Sequence, residues 1–359
     1  MTWKTLAGAV AFACGGSACA QGVLTLYGIA DAGLVREGGG SAGSVSKLGS
    51  GIGAASRLGV RGSEDLGGGM AAFFTLEGGV RLDTGESESA GTPFNRQSFV
   101  GIKGPAGSLA LGRQYTPYHV ALTSVGDPFG GGLAGTSKNL FPDSGSNVRS
   151  SNALVYAMPP THGVSGELAY SPGEQGSTSA GRQVGAGLGV AAGKLSLRLA
   201  MNFKNGDTAA APGVPAVRRG NGRNTLLAAN YDFGVFKGYF AYGADKGFNS
   251  APLGNANNPY GGVRPTASLH GAEYLLGIAA PLAGGSLLAS FMDKNDKTAF
   301  DQDARGWGLG YLYPLSKRST LYIAYGRVIN RRGAGYTVAN NADAGSGDRA
   351  FNLGLRHGF

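Results

Sequence analysis

The stretch SRLGVRGSEDLGGGMAAFFTLEGG, residues 56–79, decides the fold. Two alternating arms flank a glycine-rich break. Successive side chains of an extended chain point to opposite faces, so Arg57, Gly59 and Arg61 share one face while Leu58 and Val60 share the other. In the second arm Phe74 and Leu76 oppose Thr75 and Glu77. Such a ribbon either buries its apolar face against a second sheet or turns it to lipid and its arginines to enclosed water.

The same alternation recurs along the chain. In VLTLYGIADAGL (23–34), Leu24, Leu26, Ala30, Ala32 and Leu34 face one way and Thr25, Tyr27 and Asp31 the other. The closing FNLGLRHGF sets Phe351, Leu353, Leu355 and Phe359 against Asn352 and Arg356. The chain has 359 residues, of which 66 are glycine and 15% are charged. Each glycine inside a helix costs about 1 kcal/mol relative to alanine, so this composition favours sheet. Low charge also excludes a charged disordered polymer.

Short connections are expected at DLGGG (65–69), GPAG (104–107), PPTHG (159–163), AAG (191–193), FG (233–234), PLAGG (281–285) and PLSKR (314–318). Long polar ones fall near 37–54, 81–93, 115–150, 172–181, 205–221, 247–266, 296–302 and 331–348. Seven short turns and eight long loops join sixteen strands, with both chain ends on the side of the short turns. That sorting of loop lengths is the arrangement of an all-β, antiparallel transmembrane β-barrel with short periplasmic turns and long external loops. Many positions on the apolar face are Gly or Ala. Lipid tails tolerate these, whereas the dry core of a β-sandwich would be left with voids. The apolar face is therefore expected outward, and Tyr231, Phe233, Tyr311, Tyr313 and Phe359 near the short-turn rim form an interfacial girdle.

The first twenty residues differ in kind. Lys4, the small and apolar run Leu6–Ala13, and the ACA of residues 18–20 read as a secretory signal peptide (1–20) cleaved before Gln21, leaving a barrel of residues 21–359. Both cysteines, Cys14 and Cys19, lie in that leader, so the mature chain carries no disulfide framework. Its formal charge is +8 once Lys4 is removed from the +9 of the whole chain, a balance that favours anionic partners.

Signals for bond-making chemistry are weak. GAGLGVA (185–191) has the glycines of a dinucleotide loop but continues into an alternating strand instead of a helix. His119, His162, His270 and His357 are far apart and read as ordinary turn, loop or girdle residues, without metal-ligand spacing. Glu64 and Asp65 are adjacent and face opposite ways. No enzyme activity, cofactor or metal is expected. The basic clusters Arg218, Arg219, Arg223 and Arg331, Arg332 lack the interleaved aromatics of a nucleic-acid surface, and suit anionic lipopolysaccharide or solvent instead.

Six motifs, in order, resemble the trimeric general porins of Gram-negative outer membranes: LTLYGIADAG (24–33), residues 56–79, NRQSFVGIKGPAGSLALGRQYTPY (95–118), DPFGG (127–131), NVRSSNALVY (147–156) and GLRHGF (354–359). The resemblance implies a homotrimer passing small hydrophilic solutes, with the third external loop (115–150) folded inward as a constriction. It implies an arginine ladder at Arg57, Arg96 and Arg149, with Arg61 nearer the turn, opposed by loop acids Asp127 and Asp143. Pro128 stands where the family has a glutamate, and Ile29 where some members have a lysine, so the pore is expected to lean towards anions. The resemblance also implies that Arg113 faces the trimer interface and that Phe359 belongs to the signal read by the barrel-assembly machinery. A substrate-specific anion channel of the same fold and a secreted β-sandwich adhesin are the alternative readings.

Overall fold

A computed structural model describes residues 22–40, 43–175, 179–250 and 269–359. The expected leader and most of the expected 247–266 loop lie outside the described residues. The strands are β1 (Val23–Gly40), β2 (Gly43–Ser50), β3 (Arg57–Gly67), β4 (Met70–Gly79), β5 (Gln97–Gly104), β6 (Gly107–Tyr115), β7 (Arg149–Ala157), β8 (Val164–Ser171) and β9 (Gln183–Ala192). They continue as β10 (Leu195–Asn205), β11 (Asn221–Asp232), β12 (Lys237–Gly247), β13 (His270–Leu282), β14 (Gly285–Asp296), β15 (Ala304–Pro314), β16 (Ser319–Asn330) and β17 (Arg349–Gly358).

All pairings are antiparallel, and β17 returns to β1 with Ile29 opposite Gly358 and Gly38 opposite Arg349. The 17 segments make a closed barrel of sixteen staves, because β2 and β3 lie end to end along one edge of β1. This corrects the first expected loop: residues 37–40 and 43–50 of the expected 37–54 are strand, with Glu37 opposite Val45 and Gly40 opposite Gly43. A run of Gly and Ser has no apolar alternation to betray a strand, yet its backbone pairs as well as any other. All seven expected short turns join strands at one rim.

The outer face is apolar. Leu24 is 70% exposed and Leu26 63%, values that only a hydrocarbon environment makes stable for a whole surface. At the short-turn rim Phe233 packs on Phe236 and Tyr231 with ring centroids 4.7 and 4.8 Å away. The Phe359 ring lies against Gly28, where a Cβ would collide with it, and the two backbones exchange hydrogen bonds of 3.0 and 3.1 Å.

The inner face differs from a uniformly wet lumen. Along β10–β16 it presents Ala200, Leu226, Ala228, Ala241, Leu275, Met292 and Val328, all buried against Tyr118, Leu122, Val125, Leu140 and Phe141 of the third loop. A loop lying inside a channel needs a dry backing, since polar contacts alone gain little against competing water.

The interruption between β2 and β3 is held by Asp31, whose carboxylate accepts hydrogen bonds from Ile52 N (3.1 Å), Gly53 N (3.1 Å), Ala54 N (2.8 Å) and Tyr322 Oη (2.7 Å). Asp31→Ala orphans these donors and is expected to cost about 2–4 kcal/mol. The measurement is the temperature at which the compact band of unboiled protein disappears on a denaturing gel; an unchanged temperature contradicts this role.

Candidate pore constriction

The third loop starts with a sequence-encoded cap. Thr116 accepts from His119 N, and Pro117 opens the short helix α1 (Pro117–Ala121), which needs no N–H there. A π-helical turn over Leu122–Gly126 follows and leads into the DPFGG tip. Asp127 is buried and accepts from Phe129 N (2.8 Å), Gly131 N (3.0 Å), Ser137 N (2.9 Å) and Thr136 Oγ1 (3.4 Å). Gly130 and Gly131 have φ of +61° and +82°, conformations that side chains disfavour. Asp127 is thus the organiser of the tip, and its charge is spent on loop donors. Burial raises its carboxyl pKa, against the pull of those hydrogen bonds. Pro128 packs on Gly277 of the wall, where a Cβ would strike its ring.

The tip is pinned across the barrel. Leu133 N donates to Ile52 O (2.9 Å), Ser290 Oγ to Gly135 O (2.7 Å) and Asn341 Nδ2 to Gly131 O (3.3 Å). The loop of residues 331–348 therefore folds inward too, and Ala339 N donates to Asn139 Oδ1 (2.8 Å).

What remains is a cavity of 470 Å³, and its lining brings Arg57, Arg96, Arg149 and Asp143 together. Arg96 and Arg57 converge on Glu77, with Nε–Oε distances of 2.9 and 3.4 Å, and Glu77 also accepts from Tyr27 Oη (3.0 Å). Tyr115 joins the next rung: its hydroxyl accepts from Arg96 Nη2 (2.6 Å) and Arg149 Nη2 (3.2 Å), and the Arg149 guanidinium lies 4.8 Å from its ring centroid. His119 stacks on Tyr115 at 4.9 Å, and its Nδ1 lies 2.8 Å from Asp143 Oδ1. Arginine guanidinium groups stack on tyrosine and keep their charge at any physiological pH, so the ladder is a fixed positive wall.

Asp127 and Arg61 do not line this cavity. Arg61 is exposed and stacks 5.3 Å from the Tyr27 ring, towards the short-turn side. Arg113 sits at a register shift between β6 and β7, where Nε donates to Asn95 O (2.5 Å) and Nη1 to Ser151 Oγ (2.7 Å); it contributes to the cavity lining as well.

Among the lining residues that were not singled out from sequence as pore groups are Glu88, His119, Lys138, Asp343 and Arg356. Arg356 could have been found by strand parity. Lys138 could not: it lies in a short 3₁₀ turn, Ser137–Asn139, and is aimed at the pore by a 3.0 Å bond from Nζ to Asn341 O. Burial lowers its ammonium pKa; Asp143 and Asp127 oppose that shift, while Arg149 and Arg96 reinforce it. For Asp143, burial works against ionisation, but His119, Lys138 and Arg149 hold its carboxyl below the ordinary aspartate range.

A carboxyl held low stabilises the fold at neutral pH, and that contribution fades only as pH falls through the depressed value. Asp143→Asn should therefore raise anion preference relative to the parent at pH 7 and still at pH 4, the two converging only below the ordinary value of 3.8. Paired reversal potentials across that range test this; convergence already at pH 5 contradicts it.

Known proteins share this architecture. Residues 5–334 match the Gram-negative porin family. An outer membrane porin protein of Bordetella pertussis is 30% identical, over 99% of both chains. Outer membrane porin protein 32 of Delftia acidovorans is 31% identical, again over 99% of both chains. Among solved structures, an anion-selective porin from Comamonas acidovorans superposes with a TM-score of 0.73 at 28% identity, covering 94% of this chain and all of that one. These relatives are channels, and the closed barrel with an inward loop is a passive diffusion pore of the outer membrane. This chain is a member of the Gram-negative porin family.

Proposed function

We propose that this pore lets small hydrophilic solutes diffuse down their gradients with a preference for anions, and that Arg57, Arg96 and Arg149 set that preference from the wall. The observation that carries the reading is the charge of the cavity lining. Arg57, Arg96, Arg113, Lys138, Arg149 and Arg356 line it, against Glu88, Asp143 and Asp343. Loop 3 contributes an ammonium where the family pattern places an acid, because Asp127 is turned into its own loop and Pro128 into the wall. The field in the passage is then positive on both sides, which lowers the barrier for anions and raises it for cations. Selectivity in the structural relative from Comamonas acidovorans has the same sign. Asp127 shapes the passage, Asp143 tempers its charge through His119, and Arg61 extends the positive track towards the short-turn side. No bond is made or broken.

Residues 1–20 serve as the export signal in this reading, and residues 21–359 form the pore. Three barrels associate, with half-exposed Arg113 near their contact. Phe359, exposed on the outer surface beside Gly28, is a handle for the barrel-assembly machinery. Outer-membrane lipid, including lipopolysaccharide, surrounds the wall.

Reversal potential in a planar bilayer under a salt gradient is the test. Anion preference is expected in the parent protein. One unit of charge at about 4 Å in water is worth about 1 kcal/mol, roughly fivefold in relative permeability. Lys138→Glu changes the charge by two units and should lower the anion-to-cation ratio by at least that factor. Cation preference in the parent, or no change in the variant, refutes the reading.

A further inference from the structure

Two phenyl rings face the lumen one step below the arginine ladder. On β4 the side chains of Phe73, Thr75 and Glu77 alternate with those of Phe74 and Leu76, and Glu77 marks their face as the inner one by meeting Arg57 and Arg96. On β5 Phe99 and Gly101 alternate with Val100 and Ile102, which are exposed on the lipid side. The Phe73 ring lies over Gly101, where a Cβ would collide with it, and meets the Phe99 ring edge to face with 6.1 Å between centroids. Both rings are half-buried, and neither belongs to the apolar clusters that back the third loop.

A cation stands across the wall from them. Arg61 of β3 is opposite Thr75 of β4, and Thr75 is opposite Phe99 of β5. Arg61 is exposed and makes no ion pair with a described acid. Its guanidinium lies 5.3 Å from the centroid of the Tyr27 ring, which covers Gly59 and whose hydroxyl donates to Glu77. That ring seats the guanidinium on the inner wall without neutralising it. Nearer the short-turn rim Asp65 and Lys103 flank Ala71 from either side, so their opposite charges offset each other, and Asp65 also accepts from Gly67 N at 2.8 Å. Arg61 is the uncompensated charge beside the phenyl pair.

Phenyl rings left half-exposed on a channel wall carry a hydration cost that an apolar group relieves on contact, and small-molecule sites combine such a surface with a few placed polar groups. Two strand spacings, about 10 Å, separate Arg61 from Phe99, with the Thr75 hydroxyl between them. We propose that Phe73, Phe99, Thr75 and Arg61 form a subsite for aromatic carboxylates. The ring of the solute rests against the phenyl pair, and its carboxylate lies over Thr75 and meets the Arg61 guanidinium, whose planar fork matches a carboxylate. A saturated ring of the same size lacks the flat face and charged edge on which aromatic pairing depends. The subsite rests on the anion-leaning pore and narrows its solutes: an acid that has passed Arg57, Arg96 and Arg149 is taken up by Arg61, and its ring is retained before release at the short-turn side.

The test is block of chloride conductance by added acid, in planar bilayers holding the purified full-length protein. Benzoate and cyclohexanecarboxylate carry the same charge on rings of the same carbon count. Benzoate should half-block at a concentration about fivefold lower, the usual worth of an aromatic pair. The double variant Phe73→Leu, Phe99→Leu keeps the wall apolar and should bring the two concentrations together. Arg61→Gln should raise both about fivefold and leave their ratio unchanged. Each variant is first verified as folded by its heat-modifiable band. Absence of block by benzoate, equal potency of the two acids on the parent, an unchanged ratio in the folded double variant, or no effect of Arg61→Gln overturns the proposal. Cation preference of the parent in chloride alone refutes the anion-leaning pore separately, since no aromatic acid enters that measurement.

Discussion

Hydrocarbon offers no hydrogen-bond partner to a peptide group, and the rest of this molecule follows from that constraint. A spanning sheet must have no free edge, so β17 has to find β1, and the ten-residue register from Ile29–Gly358 to Gly38–Arg349 is the closure. Closure then fixes which face is which. With the staves joined, Leu24, Leu26 and Leu34 are left to lipid, while Tyr27 and Asp31 on the alternate positions are delivered to the interior. The split second stave is the exception that must be compensated, and buried Asp31 does this by gathering three N–H groups and the Tyr322 hydroxyl at the interruption.

Inside the barrel a second constraint operates. A sixteen-stranded barrel leaves an aqueous channel, and a loop floating in water would have no defined position. The third loop is fixed because one sector of the inner wall is apolar and built of small residues. Gly277, Gly308, Gly310 and Gly326 let the loop approach the wall so closely that a Cβ at any of them would meet Pro128, Gly135, Phe129 or Ala134. The dry core thus lies between loop and wall, and the charged cavity is lined from β3, β6, β7 and β17 instead. The same packing turns the acid of the DPFGG tip inward and leaves largely buried Lys138 in the cavity lining, bonded to Asn341 O.

Electrostatics in the passage depend on this division of labour. Glu77 neutralises part of the ladder at its base, joining Arg57 and Arg96 while remaining buried itself. Tyr115 spaces Arg96 from Arg149 through one hydroxyl and one ring face, which keeps like charges close without direct contact. Arginine tolerates this because its charge is delocalised and weakly hydrated; lysine in the same places would lose the planar stacking. Asp143 and Asp343 are loop acids at the cavity whose carboxyls are held below the ordinary aspartate range, chiefly by His119 and by Lys47 respectively.

Much of the architecture was legible in the residues because period-two alternation is local. Leu24 against Thr25, or Leu353 against Asn352, needs only the neighbours in the chain to be read, and turn-forming glycines and prolines mark where each stave ends. That Arg57, Arg96 and Arg149 meet at one cavity follows an expectation taken from the family motif, with strand parity adding support for Arg57 and Arg96. The pairing of β2 with the end of β1 was not legible, since its Gly-Ser-rich stretch offers no contrast between faces. Nor was the fate of Asp127, Pro128, His119 and Lys138: a loop has no periodicity, so Asp127 and His119 are fixed by how the loop folds on itself, and Pro128 and Lys138 by Gly277 and Asn341, well over a hundred positions away. By itself the sequence determined a closed barrel, its sidedness and a positive wall, because strand geometry is imposed by adjacent residues and by lipid. Only the tertiary structure decided which loop charges meet that wall, because the folding of the loop on itself and against the wall determines where its side chains can go.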